Sequence, residues 1–253
     1  MENELYGYMN IREECRLDKT IFKKMFYENA VMNSSDKETF KNNIDKITLK
    51  YSLKEEALNI PKFNDEELNY DEIEIIEVNL IDDSKYSKVC EIIQKTIPYP
   101  IVLVLTFNEK ILINTAYKRI NKNASEKNTV EKHVYSRWID LDYMNDNEQE
   151  FMKSIDINRL SFSDMYKLYD SFVQKIDILN LSEISGDFNK LEQWDIEEIE
   201  KLQNQIINID MQLDKFNTGI KNEEQFNKRL DMNIKIKKLE LKRTKLIDKL
   251  NSN

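Results

Sequence analysis

Glycine is nearly missing: Gly7, Gly186 and Gly219 are the only three in 253 residues. Loops that cradle phosphates need glycines close together, so that several backbone N–H groups can approach one ligand. No two of these three are neighbours in sequence. A P-loop, a dinucleotide-binding fingerprint and a kinase glycine loop are therefore excluded. Histidine occurs once, as His133, and cysteine twice, as Cys15 and Cys90, with no CxxC spacing. That set cannot supply a usual structural zinc site from this chain. It suits a reducing, cytoplasmic setting better than a disulfide scaffold. Ser–His–Asp chemistry would rest on His133 alone, and its setting, VEKHVYSRW, reads as strand. A structural or surface role is expected for it. Long apolar runs are missing too. The strongest, Ile101–Leu105, is far short of the roughly 20 residues a membrane-spanning helix needs. With 34% charged residues and a mean hydropathy of −0.66, no membrane partner is expected. The opening MENELYGYMNIREEC has no basic stretch leading into an apolar block, so no secretion signal is read. No cofactor, metal site or catalytic residue is assigned.

Charge is abundant. A net charge of −9 gives the molecule no general attraction to nucleic acid, so any such contact must come from a local patch. The chain is long enough for one sizeable α/β core with an appendage. Its first sixty residues read as helix (Lys19–Ala30), helix (capped by Ser35 or Asp36, through Lys46) and strand (Ile47–Leu53), then a solvated connection. Glu72–Ile81 is a β-rich run. A helix over KYSKVCEIIQKTI follows, with Val89, Ile92, Ile93 and Ile97 inward, and IPYP stops it. Ile101–Phe107, apolar on both faces, reads as the central strand. Ile111–Ile120 is its hairpin partner, and TVEKHVYSRWIDL a third strand of the meander. After an acidic linker at Tyr143–Glu150, a helix capped by Ser161 or Ser163 carries the stripe Met165, Leu168, Tyr169, Phe172, Val173 and Ile176. Gly186 marks a break.

The remainder reads as a helical hairpin. On its first helix, Glu192–Asn217, Ile199, Leu202, Ile206, Ile209, Leu213 and Phe216 recur at alternating three- and four-residue steps, a coiled-coil seam. Thr218-Gly219-Ile220-Lys221 is the expected turn, with Gly219 as a left-handed stop and Asn222 capping the second helix. Folding back there sets Phe226, Leu230, Ile234 and Leu241 against the first helix. Met232, Ile236, Leu239, Leu246, Ile247 and Leu250 then fall on the far side of the second. One neighbour cannot cover both stripes, and a buried Leu or Ile is worth about 1.5–3 kcal/mol. A further body is expected on the far stripe: the chain's own Met165–Ile176 helix, a second copy, or another protein. The first helix carries seven acids and two lysines. The second, Glu223–Asn251, carries nine basic residues and five acids, so opposite charge favours the pairing. Lys228, Lys235, Lys238, Lys242, Lys245 and Lys249 share an arc of about 100° on the second helix. They form either a solvated flank or, with Lys118, Arg119, Lys122 and Arg137 of the meander, a nucleic-acid contact.

The expected class is α+β: a small mixed sheet with packed helices over 1–150, a connecting helix over 151–185 and an antiparallel helical hairpin over 186–253. Two passages then point to a family. EEQFNKRLDMNIKIKKLELK (Glu223–Lys242), together with IPYPIVLVLTF, AYKRINKN and SRWIDL, resembles the signature of the bacterial domain-of-unknown-function 4391 family over most of the chain. The resemblance implies no catalytic residue. Genes of that kind often neighbour helicases and DNA methyltransferases in restriction or phage-defence clusters, so it implies an accessory subunit of a DNA-acting complex. The function expected is a non-catalytic scaffold that assembles through the hairpin. The alternatives are a metal-dependent nuclease drawing on Glu74, Glu77, Glu109, Lys118 and Glu131, and nucleic-acid binding through the lysine row.

Overall fold

The computed structural model describes residues 2–120 and 129–252. Lys122 lies outside the described residues. The class is α+β, with a mixed sheet. The chain divides into two compact units, 1–176 and 177–253. The division falls inside a helix, whereas the sequence suggested boundaries at 150 and 185.

In the first unit the elements run α1 (Glu2–Met9), β1 (Arg16–Thr20), α2 (Lys23–Asn29), α3 (Ser34–Asn43), β2 (Ile44–Lys54) and α4 (Glu55–Leu58). A small hairpin, β3 (Phe63–Asn64) and β4 (Asn69–Tyr70), leads to β5 (Glu72–Leu80), α5 (Tyr86–Thr96), β6 (Ile101–Phe107) and β7 (Lys110–Arg119). β8 (Thr129–Tyr135), β9 (Ile139–Asp140), α6 (Asp146–Ser154) and α7 (Met165–Ser185) follow. Among the described residues the main sheet has seven strands in the order β1-β2-β5-β6-β7-β8, with β9 also on β7. β5 and β6 are its parallel pair, and the other pairings are antiparallel.

Several boundaries differ from the sequence reading, each for a local reason. Every residue of β1 is exposed, so no alternation marked it. The cap of α3 is Asn33, which closes a capping box with Asp36, rather than Ser35 or Asp36. The supposed acidic linker holds α6, whose Asn145 and Glu148 form the same box. At the start of α7 the Asp164 carboxylate, rather than a serine, accepts the N–H of Lys167 at 2.8 Å.

One face of the sheet carries Ile76, Val78, Leu103, Leu105 and Leu112 against Phe26, Phe40, Val89, Cys90 and Ile93 of α2, α3 and α5. On the opposite face the expected α7 stripe, Met165 through Ile176, is buried. Its Tyr169 hydroxyl accepts the N–H of Ala116 at 2.9 Å and stands 3.0 Å from the carbonyls of Ile101 and Ala116. That stripe therefore serves the sheet.

The second unit contains the end of α7, α8 (Phe188–Glu192), α9 (Ile196–Asn222) and α10 (Phe226–Ser252). Gly186 takes the positive φ of +81° that ends α7, as its place in the sequence suggests. Gly219 does not end a helix. α9 continues through it to Asn222, and the turn is Glu223–Gln225. Asn222 does not cap the second helix: it is the last residue of α9, and the N–H of Gln225 binds the Glu223 carboxylate. Moving the turn resets the register. Asp210 accepts Arg243 Nε at 2.7 Å, Lys249 pairs with Glu198, and Lys235 stands 5.6 Å over the Phe216 ring.

The two stripes of α10 consequently exchange roles. Ile236 and Leu250 are buried, and Met232, Leu239, Leu246 and Ile247 are half-buried. Met232, Ile236, Leu239, Arg243, Leu246 and Leu250 recur at alternating four- and three-residue steps and form the inner row. Opposite them, α9 buries Ile199, Leu202, Ile206 and Ile209 and half-buries Leu213 and Phe216, as expected. Phe226, Leu230, Ile234 and Leu241, expected in the hairpin core, are exposed at 74%, 49%, 46% and 64%.

This exchange predicts a contrast between truncations. Ile236→Ala should cost about 2–4 kcal/mol of hairpin stability, and Leu241→Ala should stay within about 0.5 kcal/mol. Urea unfolding followed by far-ultraviolet circular dichroism measures both. Equal losses would return Leu241 to the core.

Candidate functional site

Two places carry unusual surfaces: the outer row of α10 and the polar groups trapped in the sheet. On α10, Phe226, Leu230 and Ile234 are spaced four apart, and Leu241 falls in the same arc, roughly 165° round the helix from the inner row at 100° per residue. Phe226, Leu230 and Ile234 make an apolar strip, with Lys237 in the same arc before Leu241, on a helix with nine basic residues and three acids. α9 has three basic residues and five acids, and exposes Ile207 and Met211.

The lysine row is partly used within the hairpin. Lys249 and Lys235 make the contacts already given, and Lys228 lies 4.0 Å from Glu223. These three flank the pairing with α9, while Lys238, Lys242 and Lys245 are exposed. Of the meander's basic residues, Lys118 cannot meet a phosphate. It is 3% exposed, and its Nζ donates to the carbonyls of Ile97 and Tyr99 at 2.8 and 2.5 Å. Burial holds its pKa well below the usual lysine range. Arg119 is exposed but paired with Glu67 and Glu131, and half-buried Arg137 donates to Glu148 at 3.0 Å.

The carboxylates weighed for metal chemistry are dispersed. Glu74 lies on the α5 side of the sheet and Glu77, three residues on, on the other. Glu109 sits in the β6–β7 turn, where it and Asn108 take positive φ of 66° and 45°. Glu131 is on β8 beside Arg119. Among the described residues no group of three or more His, Cys, Asp or Glu could hold a metal ion. His133, on β8, stacks its ring on Tyr135 and is half-buried, and burial lowers its pKa.

Two cavities were not visible in the sequence, because each is assembled from segments far apart in the chain. The first, about 320 Å³, lies at the carboxyl ends of the parallel strands β5 and β6, a common place for ligands in open sheets. There the Tyr6 hydroxyl donates to Glu77 at 2.9 Å, and Asn79 donates to Thr106 at 2.8 Å. The second, about 470 Å³, is lined mainly by apolar side chains of α2, β2 and β5 and of the segment after α5, with Asn29, Thr96 and Glu74 among them. Ser52 donates to one Glu74 oxygen at 3.0 Å, and the other oxygen is buried with no hydrogen-bond partner. Burial raises the Glu74 carboxyl to about 7; Glu72 adds to the rise, while Ser52 and Lys54 oppose it.

Reported against known sequences, residues 9–242 match the family described as Domain of unknown function (DUF4391), and the chain belongs to it. No curated protein and no solved structure matches the chain.

A raised carboxyl pKa has a definite consequence for stability. Between the ordinary value of 4.5 and about 7, the folded chain holds a proton that the unfolded chain releases. Glu74 therefore costs nothing below the unfolded value, and its penalty grows as pH rises through this window. Glu74→Gln should gain melting temperature over the parent at pH 8, and much less at pH 5. An equal difference at both values would mean that Glu74 titrates normally.

Proposed function

We propose that the chain is a non-catalytic assembly protein whose hairpin docks an acidic amphipathic helix along the outer row of α10. The observation that carries the reading is the exposure of Phe226, Leu230 and Ile234 at successive four-residue steps, with Leu241 further along the same arc. Scattered apolar residues on a surface are ordinary, but a strip at helical spacing is the form in which one helix receives another. The excess of basic residues on α10 selects the sign of the partner. Two α10 helices facing each other would bring lysines together, which costs free energy, whereas an acidic helix would be steered in and held. Such a helix can come from another protein or from α9 of a second copy. Met232, Ile236, Leu239, Leu246, Ile247 and Leu250 are not the docking residues of this reading, since the inner row already uses five of them and Ile247 beside it is half-buried.

A role as a subunit of a bacterial DNA-acting defence or restriction complex, in the cytoplasm, is part of the same proposal. It rests on the setting that the family resemblance implies. Among the described residues, scattered carboxylates give the nuclease alternative no assembled centre in its support, and with Lys118 buried and Arg119 and Arg137 paired the nucleic-acid alternative rests on the outer lysines.

The test is light scattering of the full chain, together with fluorescence anisotropy of a designed helical peptide with leucine on one face and glutamate beside it. The parent should bind the peptide or exceed monomer mass. Ile234→Asp with Leu241→Asp should abolish both while leaving the helical circular dichroism intact. A monomeric parent that ignores the peptide would overturn the proposal.

A further inference from the structure

The cavity that holds Glu74 lies within the first unit and has a different chemistry from the hairpin. Its walls are Phe26 of α2, Leu49 of β2, Ile76 of β5, and Ile97 and Tyr99 after α5. Met25 stands at its rim, 54% exposed. Within these mainly apolar walls, which also carry Asn29 and Thr96, Glu74 is the one charged side chain among the described residues. It is itself only 7% exposed. Its hydrogen bonding is lopsided. One oxygen receives Ser52, while the other is buried and unpartnered. Lys54, on the neighbouring strand β2, is held by Glu72 at 2.8 Å. A buried carboxylate oxygen left without a donor is expensive, and a bound cation removes that cost. Small-molecule sites have this composition: mostly apolar walls, a volume of some hundreds of Å³ and one or two placed polar groups.

We propose that this cavity binds a small aliphatic amine, its ammonium pairing with the Glu74 carboxylate and its stem lying against Leu49, Ile97 and Tyr99. An ammonium supplies the missing donor together with the opposite charge, and a charge-assisted bond of this kind is stronger than one between neutral groups. A neutral alcohol of the same length would fill the apolar walls and supply a donor, but no charge. A carboxylic acid would set two acids together. The site therefore discriminates by charge at one end and by apolar length at the other.

The experiment is isothermal titration of the full chain at pH 8 with n-pentylamine, n-pentanol and a lysine blocked at both its amino and carboxyl ends. The amine should bind, and n-pentanol should bind at least about tenfold more weakly, as expected for loss of a charge-assisted hydrogen bond. Glu74→Gln keeps the shape and removes the charge, and should weaken amine binding by a similar factor. Met25→Lys, at the exposed rim, leaves the core untouched and places a competing ammonium at the entrance, so it should also weaken the amine. The proposal is overturned if the parent takes up no amine, if amine and alcohol bind alike, or if Glu74→Gln binds as well as the parent. Tighter binding of the blocked lysine than of the free amine would also overturn it, because the cavity would then be a seat for a protein side chain.

Discussion

The parallel pairing of β5 with β6 constrains the rest of the first unit. Two parallel neighbours cannot be joined by a tight turn, so the chain must leave the sheet and return, and α5 is that crossover. Strands paired in this way are stable when both faces are covered. α2, α3 and α5 close one face. On the other, Met9, Ile155, Ile157, Leu168 and Phe172 gather over Ile73, Ile75 and Val102. Polar residues on these strands are then enclosed wherever they fall. Asn114 receives Gln94 at 3.2 Å, Glu77 receives Tyr6 and Lys118 is tied to two carbonyls. Each of these three obtains a local partner, as burial requires. Other enclosed atoms do not: one oxygen of Glu74, Oε1 of Gln94 and Oγ1 of Thr115 are buried without a hydrogen bond.

Much of this was legible because period and length were unambiguous. β5, α5, β6 and β7 emerge close to the expected limits: a β-rich run, an amphipathic helix of eleven residues and an apolar strand are hard to confuse. β1 and α6 were hidden for opposite reasons. β1 buries nothing, so its sequence has no pattern to show. α6 looked like acidic solvent-facing chain, although Asn145 and Glu148 already had the three-residue spacing of a capping box. Neither cavity could be read, since their walls come from segments dozens of residues apart.

The hairpin shows how one glycine can misdirect a register. Gly219 resembles a helix stop, yet it sits inside α9. There an added Cβ would stand 3.7 Å from Met232 Sδ, an ordinary contact, so packing at this position does not require glycine. A glycine in a helix costs about 1 kcal/mol relative to alanine, which two paired 27-residue helices can outweigh. The spacing held a better clue. Phe226, Leu230, Ile234 and Leu241 step by four, four and seven. Met232, Ile236, Leu239, Arg243, Leu246 and Leu250 alternate four and three, the rhythm that keeps a row facing one neighbour. Arg243 disguised that row, because a cation at its middle reads as solvent-facing. Asp210 on α9 receives its guanidinium, so the charge marks where the helices meet.

That exchange also changes what α10 offers outward. Had the alternating row faced away, its arginine would have broken the apolar strip in two and left a charge to be neutralised by whatever lay against it. The row that does face away is sparser but uninterrupted from Phe226 to Ile234, and lysines lie beside it. Phenylalanine, leucine and isoleucine give such a strip substantial apolar area, while the flanking positive charges oppose its closing on a copy of itself. A surface that is apolar along its centre and of one sign at its edge therefore favours a partner of opposite sign over self-association through α10 alone. The physical preference is for pairing between unlike helices.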